Sequence, residues 1–403
     1  MDKKTRNSEL YLLLMVGAIS AFGPFVTDFY LPALPSLNEY FHTTASLVQL
    51  SLTFSMIGLA VGQLVIGPLS DKYGRKSPLL WSLVIFSFST LGCIYAPNIH
   101  WFVFFRLIQG LSGAGGLVIS KSITVDLYEG AALTRFFSML SSVQGVAPIC
   151  APVLGGFLLE TTSWKGIFWI LFAIGLLLLV TLCFFKESLP RDKRQGGNVW
   201  ATFRRYLPVL GHGRFMCYVL VQAFSMGVTF TYIAASPFIF QNHYGLSPMA
   251  YSLCFGANAI AIMLGSLSVS FFRSATQAIR VGVFGFGLIS LLVASVLIAD
   301  APVMVVEGSL FLFMIFLGLI QPSSTTLALD LERENSGNAS AVLGFLMFLF
   351  GGILSPLTGL GNMLHTTSLI IVICCAAALF CTLLTTSRFS HYVLKLRTVK
   401  TSN

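Results

Sequence analysis

An all-α, polytopic membrane fold of twelve transmembrane helices in two six-helix pseudo-repeats is the class the sequence predicts, and three observations predict it. The 403 residues are 56% hydrophobic and 10% charged, with a mean hydropathy of +0.84. So few charges cannot coat a soluble protein of this size. The apolar residues also gather into long runs, and the basic residues gather at every second connection between them.

A membrane span needs roughly 20 apolar residues. Twelve runs qualify: 10–34, 46–69, 78–96, 101–125, 136–159, 164–185, 214–240, 248–272, 278–299, 303–329, 338–360 and 367–387. In lipid only helices and closed barrels satisfy the backbone, and these runs are too long and too evenly apolar for barrel strands. With the N-terminus placed inside, all but Arg106 and Lys165 of the 24 Lys and Arg fall on the cytoplasmic side. That bias puts both termini in the cytoplasm and fits a bacterial inner membrane. The net charge of +9 then answers to topology and anionic lipid, and nothing in it calls for nucleic acid. The polar segment 1–9 leads straight into a full-length span, so no cleavable signal peptide is expected.

The chain divides into a half at 1–186, a basic linker at 187–212 and a second half with a short tail at 213–403. In the linker, Trp200, Phe203 and Tyr206 follow helical spacing, which fits an amphipathic helix on the inner leaflet. Pro32 and Pro237 lie 205 residues apart, and Pro152 and Pro356 lie 204 apart. Parallel repeats about an axis along the membrane normal have this form, with the substrate site between the halves.

Span one carries the first chemical candidate, Asp28, in Thr27-Asp28-Phe29-Tyr30-Leu31-Pro32-Ala33-Leu34-Pro35. A carboxylate in a span costs roughly 2.5 to 3.5 kcal/mol on insertion scales and generally faces a cavity or a partner. Burial favours its neutral form, which would let it load and release a proton. The competing reading is an interfacial helix-end Asp freed by Pro32.

Between spans two and three runs Gly62-Gln63-Leu64-Val65-Ile66-Gly67-Pro68-Leu69-Ser70-Asp71-Lys72-Tyr73-Gly74-Arg75-Lys76. This stretch resembles the loop signature of the major facilitator superfamily of transporters. The T-D-x-Y-L-P-A-L-P pattern of span one is similar to the first helix of its Bcr/CflA-type drug-resistance group. Membership implies the major facilitator fold and proton-coupled export.

Arg106, at a depth like that of Asp28, opens Arg106-Leu107-Ile108-Gln109-Gly110, which resembles the superfamily's fourth-helix motif, where the Arg is associated with proton coupling. An ion pair between Asp28 and Arg106 is the expectation, serving either coupling or structure alone. The glycines that follow lack the preceding strand and G-K-[ST] ending of a phosphate loop. They are what close packing of membrane helices requires. At the inner end of the same span Asp126 lies beside the loop, where Arg75 could bridge it to Asp71. Such a cluster, with Gly62 and Gly67, would latch the cytoplasmic side, with Asp71 near the N-terminus of span eleven; alternatively Asp126 is a second proton carrier. In span five Pro148, Pro152, Gly155 and Gly156 resemble the superfamily's antiporter motif in part, Ala147 and Ala151 standing where glycines are expected. The prolines should bend the helix.

In the second half Glu307 is the intramembrane acid, either a proton site or an interfacial group near Asp300. Polar points on otherwise oily spans are Tyr30, Gln109, Gln144, Tyr232, Asn258 and Gln321; of these Tyr30, Gln109, Gln144 and Tyr232 are the substrate-binding candidates. With 36 Phe the cavity suits amphipathic or aromatic compounds. The eight cysteines lie in apolar runs without metal-ligand spacing and read as buried free thiols. No catalytic constellation, metal cluster or cofactor motif is found, and an enzyme is not expected. The function expected is drug efflux in exchange for protons by a monomer. The alternatives are export of an endogenous metabolite such as a siderophore, amino acid or sugar derivative, and uptake by proton symport.

Overall fold

The computed structural model describes residues 8–128, 130–194, 206–332 and 336–386, and within 130–145 only part of the side chains. Twelve long helices run in chain order: α1 Glu9–Asp28, α2 Ala45–Tyr73, α3 Lys76–Ile94, α4 Ile99–Leu127, α5 Gly130–Leu159, α6 Trp164–Cys183, α7 Gly213–Pro237, α8 Pro248–Ser268, α9 Ala275–Ile298, α10 Val303–Leu331, α11 Ser336–Leu354 and α12 Met363–Thr386. Eleven of these stretches are long and apolar enough to cross a membrane on the described residues, and α5, at 30 residues, is the twelfth.

Local sequence sets many of the boundaries. Side chains of Ser8, Thr44, Asn98, Ser247 and Ser274 accept hydrogen bonds from backbone N–H groups three residues on, satisfying donors that the first turn leaves free. Prolines end three spans earlier than hydropathy suggests. α1 stops at Asp28 rather than running to residue 34. A 3₁₀ turn at Leu31–Ala33 follows, with Pro32 in its first turn, and then the short helix Leu34–Tyr40. α7 closes at Pro237 into a π turn, Phe238–His243, and α11 gives way at Leu354 to the 3₁₀ turn Ser355–Gly359 holding Pro356. In each case the missing proline N–H removes an i to i−4 bond. Pro148 and Pro152, by contrast, lie inside a continuous α5.

Within the first half α4 packs on α1, α2 and α3. Within the second, α10 packs on α7, α8 and α9 in the same way. The halves meet along α2 with α11 and along α5 with α8, two contacts that exchange under a two-fold repeat. The end of the bundle carrying the turn between α2 and α3 is called here the basic face, and the opposite end the far face. The hydrogen bonds that join the halves gather at the far face. Gln49 donates to the Ala234 carbonyl at 2.9 Å, Ser46 to the Pro356 carbonyl at 3.2 Å and Gln241 to the Pro32 carbonyl at 3.0 Å, while the Thr53 and Ser355 hydroxyls meet at 2.8 Å.

The linker is described in pieces. Arg191–Lys193 forms one 3₁₀ turn and Tyr206–Leu210 a short helix. Trp200 and Phe203, on which the amphipathic helix was expected, lie outside the described residues. All eight cysteines are free, but only Cys93, Cys374, Cys375 and Cys381 are buried; Cys217 and Cys254 are part-buried, and Cys150 and Cys183 are exposed because their helices turn that side outward.

Candidate functional site

Two polar centres and one charged cluster stand out from an otherwise apolar bundle. The first centre belongs to the first half. Asp28 closes α1, is 6% exposed and is hydrogen-bonded by Thr27. Arg106 on α4 is fully buried. Its guanidinium donates to Gln109 and, at 3.1 Å, to the Val26 carbonyl, and it lies over the Tyr30 ring at 4.2 Å, a cation–π contact. Gln109 donates onward to Thr90 at 2.7 Å, and the Tyr30 hydroxyl meets Ser51 at 3.2 Å.

The expected ion pair between Asp28 and Arg106 is absent: among the described residues no carboxylate reaches Arg106. The reason lies in helix phase. Val26 presents its carbonyl to Arg106, and two residues further along is a rotation of about 200°, so Asp28 faces away from α4. It lies within electrostatic reach of Tyr251 on α8, across the seam. Arg106 therefore carries its charge among neutral acceptors and rings, with its Nε unpartnered.

Of the substrate-binding candidates, Tyr30 and Gln109 are fully buried and brace Arg106, and Tyr232 is 6% exposed. The side chain of Gln144 lies outside the described residues.

The second centre was not assembled from the sequence. Asn258 on α8 donates to the Tyr232 hydroxyl at 2.9 Å and to the two Glu307 carboxylate oxygens at 3.0 and 3.1 Å. Tyr232 stacks on Phe255 at 5.7 Å, and Ser236 meets the Tyr251 hydroxyl at 3.2 Å. Glu307 is thus not grouped with Asp300, which pairs with His243 at 2.7 Å in the far-face loops. The signal was present as separate polar residues on spans seven, eight and ten. Joining them requires knowing which helix faces touch.

The charged cluster lies at the basic face. Arg75 reaches Asp71 at 2.5 Å, Asp126 at 2.8 Å and the Ser70 hydroxyl at 2.8 Å, and Ser188 donates to Asp126 at 3.0 Å. Burial opposes the Arg75 charge, yet the two carboxylates outweigh it and hold the guanidinium more firmly protonated than usual. Glu187, passed over in the sequence, accepts from the backbone N–H groups of Arg75 at 2.8 Å and Lys76 at 3.1 Å, the open N-terminus of α3. Lys76 donates to the Cys183 and Phe185 carbonyls. Gly74, at φ +93°, makes the turn that brings these groups together. The cluster lies within the first half and just beyond it. The expected approach of Asp71 to the start of α11 falls on side chains at 333–337, outside the described residues. Removing the shared cation should leave two carboxylates facing each other: Arg75→Ala is expected to cost about 2 kcal/mol, read as a fall of several degrees in the melting temperature in detergent, with Arg75→Lys recovering part of it.

Gly62 lies against the Leu111 carbonyl and Ala114 of α4, and Gly67 faces Val118. Gly155 and Gly156 sit where α5 meets its neighbours, the former against the Phe29 carbonyl just beyond α1, the latter against Ser252 and the Pro248 carbonyl of α8.

Two pseudo-symmetric six-helix groups, joined along a seam with buried ionisable groups near it, define a membrane transporter rather than an enzyme. The chain belongs to the Major Facilitator Superfamily, whose family model matches residues 13–356. Its relatives include an uncharacterized MFS-type transporter, YdgK, of Bacillus subtilis, 36% identical over 368 residues that cover 90% of this chain and 92% of that one. A bicyclomycin resistance protein homolog of Haemophilus influenzae is 25% identical, covering 87% and 89%, and multidrug resistance protein D of Escherichia coli is 24% identical, covering 96% and 98%. Two of these three relatives carry drug-resistance names. Among solved structures a D-xylose–proton symporter superposes with a TM-score of 0.75 over 93% of this chain and 97% of that one, at 16% identity, a likeness of fold alone.

Proposed function

We propose that this chain exports small amphipathic or aromatic compounds, drugs among them, in exchange for protons. It would do so from a bacterial inner membrane, with the basic face and both termini in the cytoplasm. The observation that carries the reading is Asp28: a buried carboxyl at the end of α1, with no basic partner among the described residues, close to the seam and to Tyr251 of the other half. An uncompensated carboxylate is costly in such a place, and it stays there by taking up a proton. The names of the relatives support drug efflux.

In this structure the far face is tied shut by the seam hydrogen bonds. Opening it would separate the short helix Leu34–Tyr40 and the α7 end from each other and expose Asp28 to the outside. A proton taken up there would be carried to the other side when the far face closes again, and a bound compound would leave by the opposite half-cycle. Arg106 contributes by holding the Val26 carbonyl, and so the end of α1, in register.

The test is proton flux in inverted membrane vesicles. A pH gradient is imposed and a panel of drugs and candidate metabolites is added in turn. Native protein should collapse the gradient with at least one compound, and Asp28→Asn should not. Collapse that survives in Asp28→Asn would move the proton site elsewhere, and a metabolite acting where no drug does would replace drug efflux by metabolite export.

A further inference from the structure

The Asn258 amide shows a mismatch between donors and acceptors. Its Nδ2 has two hydrogens, but three acceptor atoms lie within 3.1 Å of it: the Tyr232 hydroxyl and both oxygens of Glu307. Its Oδ1 is buried and receives nothing. An ionised Glu307 would therefore share one amide group with a tyrosine as its only donor among the described residues. Buried carboxylates that stay ionised accept two or three such bonds. A protonated Glu307 asks less of Asn258, because one carbonyl oxygen and one tyrosine oxygen then match two N–H hydrogens.

The surroundings sharpen the argument. The groups near Glu307 are Tyr232 from α7, and Tyr251, Cys254 and Asn258 from α8; α9, the third helix packed on α10, carries one charged side chain, Arg280, in the first turns of the helix and none toward its Ile298 end. No cation is among the groups near Glu307. Tyr251 lies within electrostatic reach of both Asp28 and Glu307, one acid from each half. Arg106, the buried cation of the first half, directs its two terminal nitrogens to Gln109 and the Val26 carbonyl, and neither acid pairs with it. Two carboxyl groups in an apolar interior without a counter-ion cannot both be charged cheaply. Glu307 is itself only part-buried, five residues into α10, so its carboxyl is not sealed inside the bundle.

We propose that Glu307, held by Asn258 and Tyr232, is a second proton-binding site, in the second half of the molecule and distinct from Asp28. It extends the antiport reading from one exchanged proton to two. Its use in transport rests on that reading, but its existence as a proton site does not.

Infrared difference spectra of the purified protein in lipid membranes separate the two. The pH jump is made above about pH 6, where exposed carboxylates have already titrated. The native protein should show two carboxylic C=O bands that vanish on the alkaline side. Glu307→Gln should lose one of them and keep the other, Asp28→Asn should lose only the other, and both variants should melt within a few degrees of the native protein. Asn258→Leu, which keeps the acid and removes its donor, should move the Glu307 band without abolishing it. A Glu307→Gln spectrum identical to the native one overturns the proposal, and so does a band indifferent to Asn258→Leu. If Glu307 gives its band and Asp28 does not, the second site stands and the Asp28 reading falls.

Discussion

Replacing Arg106 with methionine is expected to reduce transport by at least tenfold while leaving the melting temperature unchanged or raising it. The two effects separate because Arg106 holds a charge in a fully buried place where no described carboxylate compensates it. Exchanging buried ionic groups for apolar ones of similar volume is often neutral or stabilising by 1 to 4 kcal/mol. Methionine fills the space beside Tyr30 and Phe168, although Gln109 and the Val26 carbonyl lose a donor. Function should suffer because Arg106 ties the end of α1, and with it Asp28, to α4. Arg106→Lys makes the complementary test: the ammonium keeps the charge but cannot serve Gln109 and Val26 in one plane while lying flat on Tyr30. It should also fall at least tenfold in transport. Thermal melting and vesicle flux, run side by side, check both. Wild-type flux in Arg106→Lys would show that charge alone suffices, and a large drop in stability in Arg106→Met would show that the buried cation is structurally required.

The second large effect is expected at Gly110. The α2 and α4 backbones approach so closely here that a Cβ on Gly110 would run into the Ser55 carbonyl, and one on Gly58 into the Leu107 carbonyl. The obstacle is backbone on a packed helix, which cannot rotate away. Gly110→Val should push the two helices apart and cost about 3 kcal/mol, at the upper end for overpacking. It should lower the melting temperature well below that of Gly287→Val, where a Cβ meets nothing within 4 Å. The measurement is the difference between the two variants, which cancels the general cost of valine on a membrane helix. Equal melting temperatures would mean that α2 and α4 have room to move apart at this crossing.

These two sites also show how far the sequence could be read. Span count and the small-residue run of α4 were legible because hydropathy and glycine act locally, whereas the spans were read through Pro32, Pro237 and Pro356, where the helices end early. Depth was legible too: counting residues placed Asp28 and Arg106 at similar levels. Rotation about the helix axis was not, and two residues of phase carry Asp28 off the α4 side and toward the seam. The same limit kept Tyr232, Asn258 and Glu307 as separate points, since their meeting depends on how α7, α8 and α10 turn toward one another. Arg75, Asp71 and Asp126 could be grouped in advance because a short turn and a helix end constrain them strongly. Glu187 could not, for its partners are backbone N–H groups more than a hundred positions away, and the sequence does not mark backbone as a partner.

The seam at the far face has a thermodynamic reading. Three of its four hydrogen bonds end on main-chain carbonyls, of Ala234, Pro356 and Pro32, and the fourth joins two hydroxyls. None involves a charge. Neutral bonds of this sort contribute about 1 kcal/mol each, so together they hold the closure by only a few kcal/mol. Taking a two-state equilibrium from one part in a hundred to ninety-nine needs about 5.5 kcal/mol of differential affinity. A closure fastened this lightly stands within the range of what a single bound molecule and a proton can reverse. Salt bridges there would have made the far face a lock; uncharged bonds leave it a hinge whose resting position is set by whatever occupies the middle.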